Sequence, residues 1–301
     1  MTRVAAVDCG TNSVRLLVAD TGGPLTDVLR RMEITRLGQG VDATGRLDPE
    51  ALTRTANVLT EYAATVTDLG VQRVRLVATS ATRDAANRAE FAAIVRDRFG
   101  IDPEVISGAE EAALSFRGAV AGLPAGPPYL VCDIGGGSTE LVLGTGAVRA
   151  AYSMNIGCVR LTERHLRDDP PTAAQIAAAR ADIIEALALA REHVPVPDGA
   201  VFVGLAGSVT TVAALSLSLD EYDPDRIHHS RLTAAQVTGT ADWLLAATRA
   251  DRAATPVMHP GRVDVIGAGA LILSTLMTEL HLGEVVVSEH DILDGIAAAL
   301  A

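Results

Sequence analysis

Short apolar runs alternate with longer stretches of helical period along this chain, and the order is the same in both halves. In the first half, residues 4–7, 14–19 and 27–37 read as strands. Asp48-Pro49-Glu50 then opens a helix, with Asp48 as N-cap and Pro49 at the first helical position, running to about residue 69 and stopping at Gly70. A strand over 74–78, a helix over 84–99, a short strand over 104–106 and a helix over 109–121 follow. Gly122-Leu123-Pro124-Ala125-Gly126-Pro127-Pro128 is the clearest linker. The second half repeats the order, with strands over 129–132, 138–143 and 148–154. Helices over 159–166 and 172–193, a strand over 201–205, and helices over 208–216, 234–247 and 263–280 come next. A strand over 284–287 and a helix from about Asp291 close the chain. Three strands followed by alternating helices and strands, twice over, predict an α/β chain with a mixed sheet in each of two domains, 1–124 and 125–301. The last helix is free to pack back on the first domain.

The chain has 301 residues, enough for two ordinary domains, and its 49% hydrophobic content supports real cores. The longest apolar stretch, 265–277, holds two glycines and is too short to span a bilayer. The N-terminus enters directly into a strand with no signal-peptide pattern. Cys9, Cys132 and Cys158 make an odd count without metal-site spacing, which predicts reduced core thiols in a cytoplasmic protein. A net charge of −12 argues against nonspecific binding to nucleic acid. All 25 basic residues are arginine, which removes a phosphate-binding or Schiff-base lysine and favours bidentate arginine contacts to phosphate.

Two segments say nearly the same thing. Asp8-Cys9-Gly10-Thr11-Asn12-Ser13 and Asp133-Ile134-Gly135-Gly136-Gly137-Ser138-Thr139-Glu140 each follow an apolar run and precede another. Asp, Gly and Ser align at a shift of 125 positions. A strand–turn–strand unit with an acid at the strand end suits phosphate and metal. Glycine lets backbone N–H groups approach an anion, and a carboxylate is a hard ligand for Mg²⁺. Taken singly, Asp beside Gly also makes a plain turn. Two copies point to two related domains acting on one polyphosphate-like ligand.

Four further features carry candidate chemistry. Thr79-Ser80-Ala81-Thr82-Arg83 follows a strand and starts a helix, where an anion binds well and Arg83 could clamp a phosphate; Ser80 is equally a plain N-cap. Arg15 alternates with the buried Leu16, facing either ligand or solvent. Ser107-x-x-Glu110 has capping-box spacing, which makes Glu110 structural. Gly207-Ser208-Val209-Thr210-Thr211 puts small and hydroxyl residues at another strand–helix junction. Gly267-Ala268-Gly269 lacks the third glycine and the acidic ribose reader of a dinucleotide fingerprint, so close helix packing accounts for it better. His228 and His229 are adjacent and expected to diverge; they are read as non-catalytic, although His228 could touch ligand. Neither His-Glu-x-x-His nor Gly-x-Ser-x-Gly is present.

These motifs resemble the exopolyphosphatase / guanosine-pentaphosphate phosphohydrolase (Ppx/GppA) family of the actin and sugar-kinase superfamily. The matching pieces are residues 8–13, 79–83 with Asn87, 107–112, 133–140, 204–211 and 265–273. The resemblance covers nearly the whole chain and implies two ribonuclease-H-like domains with an interdomain cleft, in the short, two-domain form of the family. It implies that Asp8, Asp133 and Glu140 hold Mg²⁺ or another divalent cation, and that Glu111 is the base that takes a proton from the attacking water. The bland alternatives are an outward-facing strand residue for Glu140 and helix-terminus electrostatics for Glu111. Phosphate would be bound by Gly10, Thr11, Asn12, Ser13, Arg15, Ser80, Arg83, Gly135, Gly136, Gly137, Ser138, Gly207 and Ser208. Asn87, Arg160 and Arg262 are weaker candidates for contact further along a chain substrate.

The expected activity is hydrolysis of the terminal phosphoanhydride of inorganic polyphosphate. Guanosine pentaphosphate is the alternative substrate. A nucleotide-binding regulator of the same fold with little turnover, and a superfamily kinase, are alternatives from other classes. A homodimer is a further implication of the family, with neither nucleic acid nor membrane as partner.

Overall fold

A computed structural model describes residues 2–301, and the chain divides into two compact units. One takes the residues up to Gly118 together with Ile292–Ala301; the other is Ala119–Asp291.

The first unit is built on the strands β1 (Thr2–Cys9), β2 (Ser13–Thr21), β3 (Thr26–Ile34), β4 (Arg73–Ala78) and β5 (Glu104–Val105), in the order β3-β2-β1-β4-β5. The first three form an antiparallel meander, and β4 and β5 add in parallel. β1 is buried along most of its length, as a central strand covered on both faces should be. Helix α1 (Val41–Thr44) is a single turn, and α2 (Pro49–Asp68) starts as expected, with the Asp48 carboxylate accepting from the Glu50 and Ala51 N–H groups. The single helix expected over 84–99 is instead two, α3 (Ser80–Asp84) and α4 (Arg88–Phe99), because Ala85 is extended between them. Ser80 is the first residue of α3 and not its cap; Thr79 holds the cap position without a side-chain bond. The hydrophobic side chains of α2 and α4 cover one sheet face, with Leu59, Tyr62, Phe91 and Val95 in that core. Leu114 of α5 (Gly108–Val120) and Ile292, Leu293 and Ile296 join Val4, Ala6 and Leu17 in a core on the other face. Those isoleucines belong to the last helix, Ile292–Ala299, which is therefore part of the first unit.

The second unit has the strands β6 (Tyr129–Ile134), β7 (Thr139–Thr145), β8 (Ala147–Met154), β9 (Val201–Leu205), β10 (Arg231–Thr233) and β11 (Glu284–Ser288), in the order β10-β11-β9-β6-β7-β8. Again a three-stranded antiparallel meander is extended in parallel, by β9 and β11, and β10 closes the far edge. Both units thus carry the ribonuclease-H-like mixed sheet. The helices are α6 (Cys158–Arg164), α7 (Ala173–His193), α8 (Ala206–Ser216), α9 (Pro224–Ile227), α10 (Ala234–Ala246), α11 (Arg249–Ala253), a 3₁₀ turn at Pro260–Arg262, and α12 (Ile266–Glu279). The apolar stretch noted above becomes α12, buried from Ile266 to Met277, as a helix apolar on every side must be. No described helix is long and apolar enough to cross a membrane.

Candidate active site

Each unit carries one acid–glycine turn, and the two turns have the same backbone. In the first, the Gly10 N–H donates to the Ser13 carbonyl at 3.0 Å; in the second, the Gly135 N–H donates to the Ser138 carbonyl at 3.0 Å. The loop carbonyls are then taken by neighbouring elements. The Gly38 N–H donates to Thr11 O, and the Thr35 and Arg36 N–H groups donate to Asn12 O. In the second turn, the Cys158 N–H donates to Gly135 O, the Val159 and Arg160 N–H groups donate to Gly136 O, and Arg160 Nε donates to Gly137 O at 2.7 Å. Among the described residues, no backbone acceptor takes the N–H of Thr11, Asn12, Gly136 or Gly137. Loops whose acceptors are tied down while their donors stay available are built for anions.

Gly157, which the sequence reading passed over, makes the second arrangement possible. A Cβ at Gly157 would lie within the van der Waals radius of the Gly136 carbonyl, so only glycine lets the start of α6 seat the triple-glycine loop. In the first unit, Thr11 Oγ1, Asn12 Oδ1 and Thr82 Oγ1 are buried without a hydrogen-bond partner. Buried polar atoms of this kind cost about 1–3 kcal/mol each unless a ligand or water meets them.

The acids that end the first strands sit in the same register but meet opposite partners. Asp8 on β1 faces Arg15 on β2, and Asp133 on β6 faces Glu140 on β7. Arg15 therefore turns onto Asp8, donating through Nε at 3.1 Å and Nη2 at 2.7 Å to Oδ2. Asp133 and Glu140 are both buried, and the Ser153 hydroxyl on β8 donates to Glu140 Oε1 at 2.6 Å. Beside them the Cys132 thiol is pushed well up by burial and by the negative charge of Asp133 and Glu140. Cys9 is pushed up in the same way, by burial and by Asp8. All three cysteines are free, buried thiols, and a thiol so disfavoured as thiolate is inert.

No group of three or more His, Cys, Asp or Glu side chains that could hold a metal ion occurs among the described residues. Mg²⁺ does not need one, because it keeps several waters and uses one or two carboxylates with substrate phosphates. Asp133 and Glu140, two carboxylates side by side on adjacent buried strands, fit that donor set.

Glu111 sits in the first turn of α5 and is buried. Arg83 Nη1 donates to Glu111 Oε2 at 2.8 Å and to the Ile106 carbonyl at 3.0 Å. Arg83, expected as a phosphate clamp, thus also fixes Glu111. Glu110 points elsewhere: its N–H donates to Ser107 Oγ at 3.2 Å and its carboxylate meets Arg75 at 2.7 Å. Only half of the capping box forms. Asn87 is not available to ligand. It is buried, its Oδ1 accepts from the Leu47 N–H and its Nδ2 donates to Leu47 O, which pins the segment before α2.

At the third loop, Ala206 takes φ 71°, a left-handed conformation for a residue with a side chain, where β9 passes into α8. Gly207 leaves room for the Arg262 guanidinium, whose Cζ would lie 2.5 Å from a Cβ there. Arg262 Nη1 donates to Thr211 Oγ1 at 3.1 Å. Arg160 and Arg262 therefore both reach glycine loops of the second unit. His228 and His229 do not diverge as expected. Left-handed backbone at His229 (φ 62°) folds the pair so that their rings stack with centroids 3.7 Å apart.

The sequence profile of the Ppx/GppA phosphatase family matches residues 16–299. A protein of Mycobacterium tuberculosis named Exopolyphosphatase 2 is 52% identical, over 100% of this chain and 99% of its own length. The crystal structure of an exopolyphosphatase-like protein superposes with a TM-score of 0.96 at 42% identity, covering 99% of this chain and 98% of that one. The Aquifex aeolicus member of the Ppx/GppA family superposes with a TM-score of 0.83 at 34% identity, covering 99% and 97%.

Proposed function

The chain belongs to the Ppx/GppA phosphatase family, and from that premise we propose that it is an exopolyphosphatase, hydrolysing the terminal phosphoanhydride of inorganic polyphosphate and releasing phosphate. The observation that carries this reading is the pair of turns whose carbonyls are tied down and whose N–H groups at Thr11, Asn12, Gly136 and Gly137 remain for an anion. Those donors, with the hydroxyls of Thr11, Ser13 and Ser138, bind the phosphate oxygens and stabilise charge that develops on them, a preorganised contribution often worth several kcal/mol of barrier. Glu111, oriented by Arg83, accepts the proton of the attacking water. Asp133 and Glu140 would hold Mg²⁺, which would supply charge neutralisation at the phosphate oxygens when bound, and Asp8, fixed by Arg15, is the corresponding acid of the first unit. Ser80, Gly207 and Ser208 bind further phosphates of the chain, and Arg160 and Arg262 add positive charge at their loops.

Phosphate release in Mg²⁺, measured side by side on polyphosphates of several lengths, guanosine pentaphosphate and ATP, tests the proposal. Release from polyphosphate is expected to dominate. Preference for guanosine pentaphosphate would reassign the substrate within the family, and transfer from ATP to an acceptor would replace hydrolysis by a kinase reaction. The three reduced thiols support a cytoplasmic setting. Light scattering of the purified protein tests the homodimer that membership of the family implies.

A further inference from the structure

Three imidazoles meet at the end of β11. His228 stacks on His229 at 3.7 Å between ring centroids and lies 4.5 Å from His290 in a tilted contact. All three rings are half-buried. Faces stacked in this way do not converge their nitrogens on one point, and the cluster is no metal site. The Glu289 N–H donates to His228 Nδ1 at 3.2 Å, which requires Nδ1 to be unprotonated and puts the neutral ring's proton on Nε2. The Glu289 carboxylate in turn accepts at 2.7 Å from the Tyr222 hydroxyl. That hydroxyl also lies 2.7 Å from Thr210 Oγ1, two residues past Ser208 on α8. A continuous chain of contacts therefore runs from the imidazole stack to the helix that starts at the third candidate phosphate loop.

We propose that His228 is a positioning residue: its neutral Nδ1 holds Glu289, and Glu289 through Tyr222 fixes α8 at Thr210, so that proton uptake at Nδ1 releases the start of α8 and weakens phosphate binding there. The inference rests on the reading of the Gly207–Ser208 loop as a phosphate site. The proton step is simple. A proton taken from water occupies the Nδ1 lone pair, the Glu289 N–H loses its acceptor, and two donors then face one another.

The surrounding groups set how the stack responds. Glu289 and Asp291 lie on the same connection, and Tyr222 on the segment before α9. Asp223 caps α9 by accepting from the Asp225 and Arg226 N–H groups, while Asp225 and Arg226 are exposed. The Arg262 charge acts on the Tyr222 phenol, favouring its ionised form. Burial and the neighbouring His290 push His229 below the ordinary imidazole range. Two imidazolium rings in contact disfavour one another.

Two measurements on the full chain test this. Long-range ¹H–¹⁵N spectra of the histidine rings should show His228 as the Nε2–H tautomer near neutral pH. An Nδ1–H tautomer overturns the proposal whether or not the protein hydrolyses polyphosphate. In phosphate-release assays, KM for polyphosphate should rise as the pH is lowered from neutrality into the acid range, while kcat changes little. The rise expected is about three- to tenfold, the range that loss of one net hydrogen bond corresponds to. His228→Asn keeps an acceptor for the Glu289 N–H and cannot titrate. It should hold the neutral-pH KM of the unmodified protein and flatten the acid rise. Tyr222→Phe should raise KM at neutral pH by a similar factor. An acid rise unchanged in His228→Asn, or one confined to kcat, overturns the proposal.

Discussion

Asp133 and Glu140 are register partners on adjacent antiparallel strands, where their equivalents in the first unit, Asp8 and Arg15, form an ion pair. The same backbone, repeated along the chain, thus presents an acid–base pair once and an acid–acid pair once. Like charges directly opposite on neighbouring strands oppose folding, by roughly 0.2–1 kcal/mol relative to a neutral pair. A hard cation reverses that sign.

Replacing Glu140 by Gln keeps the acceptor that Ser153 uses and removes one charge. Thermal unfolding in metal-free buffer should then move up slightly, by the equivalent of about 0.2–1 kcal/mol. The rise in Tm on adding MgCl₂ should shrink or vanish, together with Mg²⁺-dependent phosphate release. An Mg²⁺-induced shift of the same size in both proteins would remove Glu140 from the metal site.

Glu111→Gln keeps an acceptor for Arg83 and loses the ability to take a proton. Phosphate release should fall by about 10²–10⁴, the usual contribution of a positioned base, with polyphosphate binding by calorimetry retained. Glu110→Ala should instead leave turnover in place, since its carboxylate reaches Arg75 at the surface. Turnover retained in Glu111→Gln would take the base role from that residue.

The strands, the longer helices and the doubled acid–glycine turn were legible in the sequence because each depends on local chemistry. Asp48 and Pro49 announce the start of α2, and Gly10 and Gly135 announce turns. The family resemblance, carried by the acid–glycine turns and the Glu110–Glu111 segment, identified Glu111 as a candidate base; it did not reveal that Arg83 orients it. That bond joins residues 28 positions apart, brought together by the fold and not by local sequence. The pairing of Asp8 with Arg15 needed the strand register, which period alone does not fix at a turn. Gly157 gave no signal beyond an isolated glycine before a helix, because its requirement comes from the Gly136 carbonyl in another segment. The histidine stack was misread because adjacent residues diverge only in regular backbone, and His229 is left-handed.

Gly157→Ala and Gly207→Ala separate two kinds of close approach. At Gly157 the obstacle is backbone, the Gly136 carbonyl and the Gly137 nitrogen, so the loop itself must move. At Gly207 the obstacle is the end of the Arg262 side chain, which can swing away. Gly157→Ala should lower the free energy of urea unfolding by about 1–3 kcal/mol and raise KM for polyphosphate. Gly207→Ala should unfold nearly as the unmodified protein does while losing the Arg262–Thr211 contact. Equal stability losses in the two variants would contradict this assignment.

Stability against pH should fall at both ends, for reasons that carry opposite signs. His229 has its folded-state value depressed by burial and by His290, so the folded protein prefers the neutral ring. On acidification the unfolded chain takes up the proton first, near pH 6.5 or about there, and stability is lost from that point down to the depressed folded value. Tyr62 is the converse case. Burial raises its phenol above the ordinary tyrosine range, and its hydroxyl donates to the Val14 carbonyl at 3.2 Å. The unfolded chain ionises first, near pH 10 or about there, and stability declines as pH rises from that value towards the raised folded one. Thermal unfolding followed across this range should show a plateau between the two limits. His229→Gln should soften the acid limb and leave the alkaline limb unchanged, and Tyr62→Phe should do the reverse after a uniform loss from the missing hydroxyl contact. An acid limb of unaltered slope in His229→Gln would assign it to other groups.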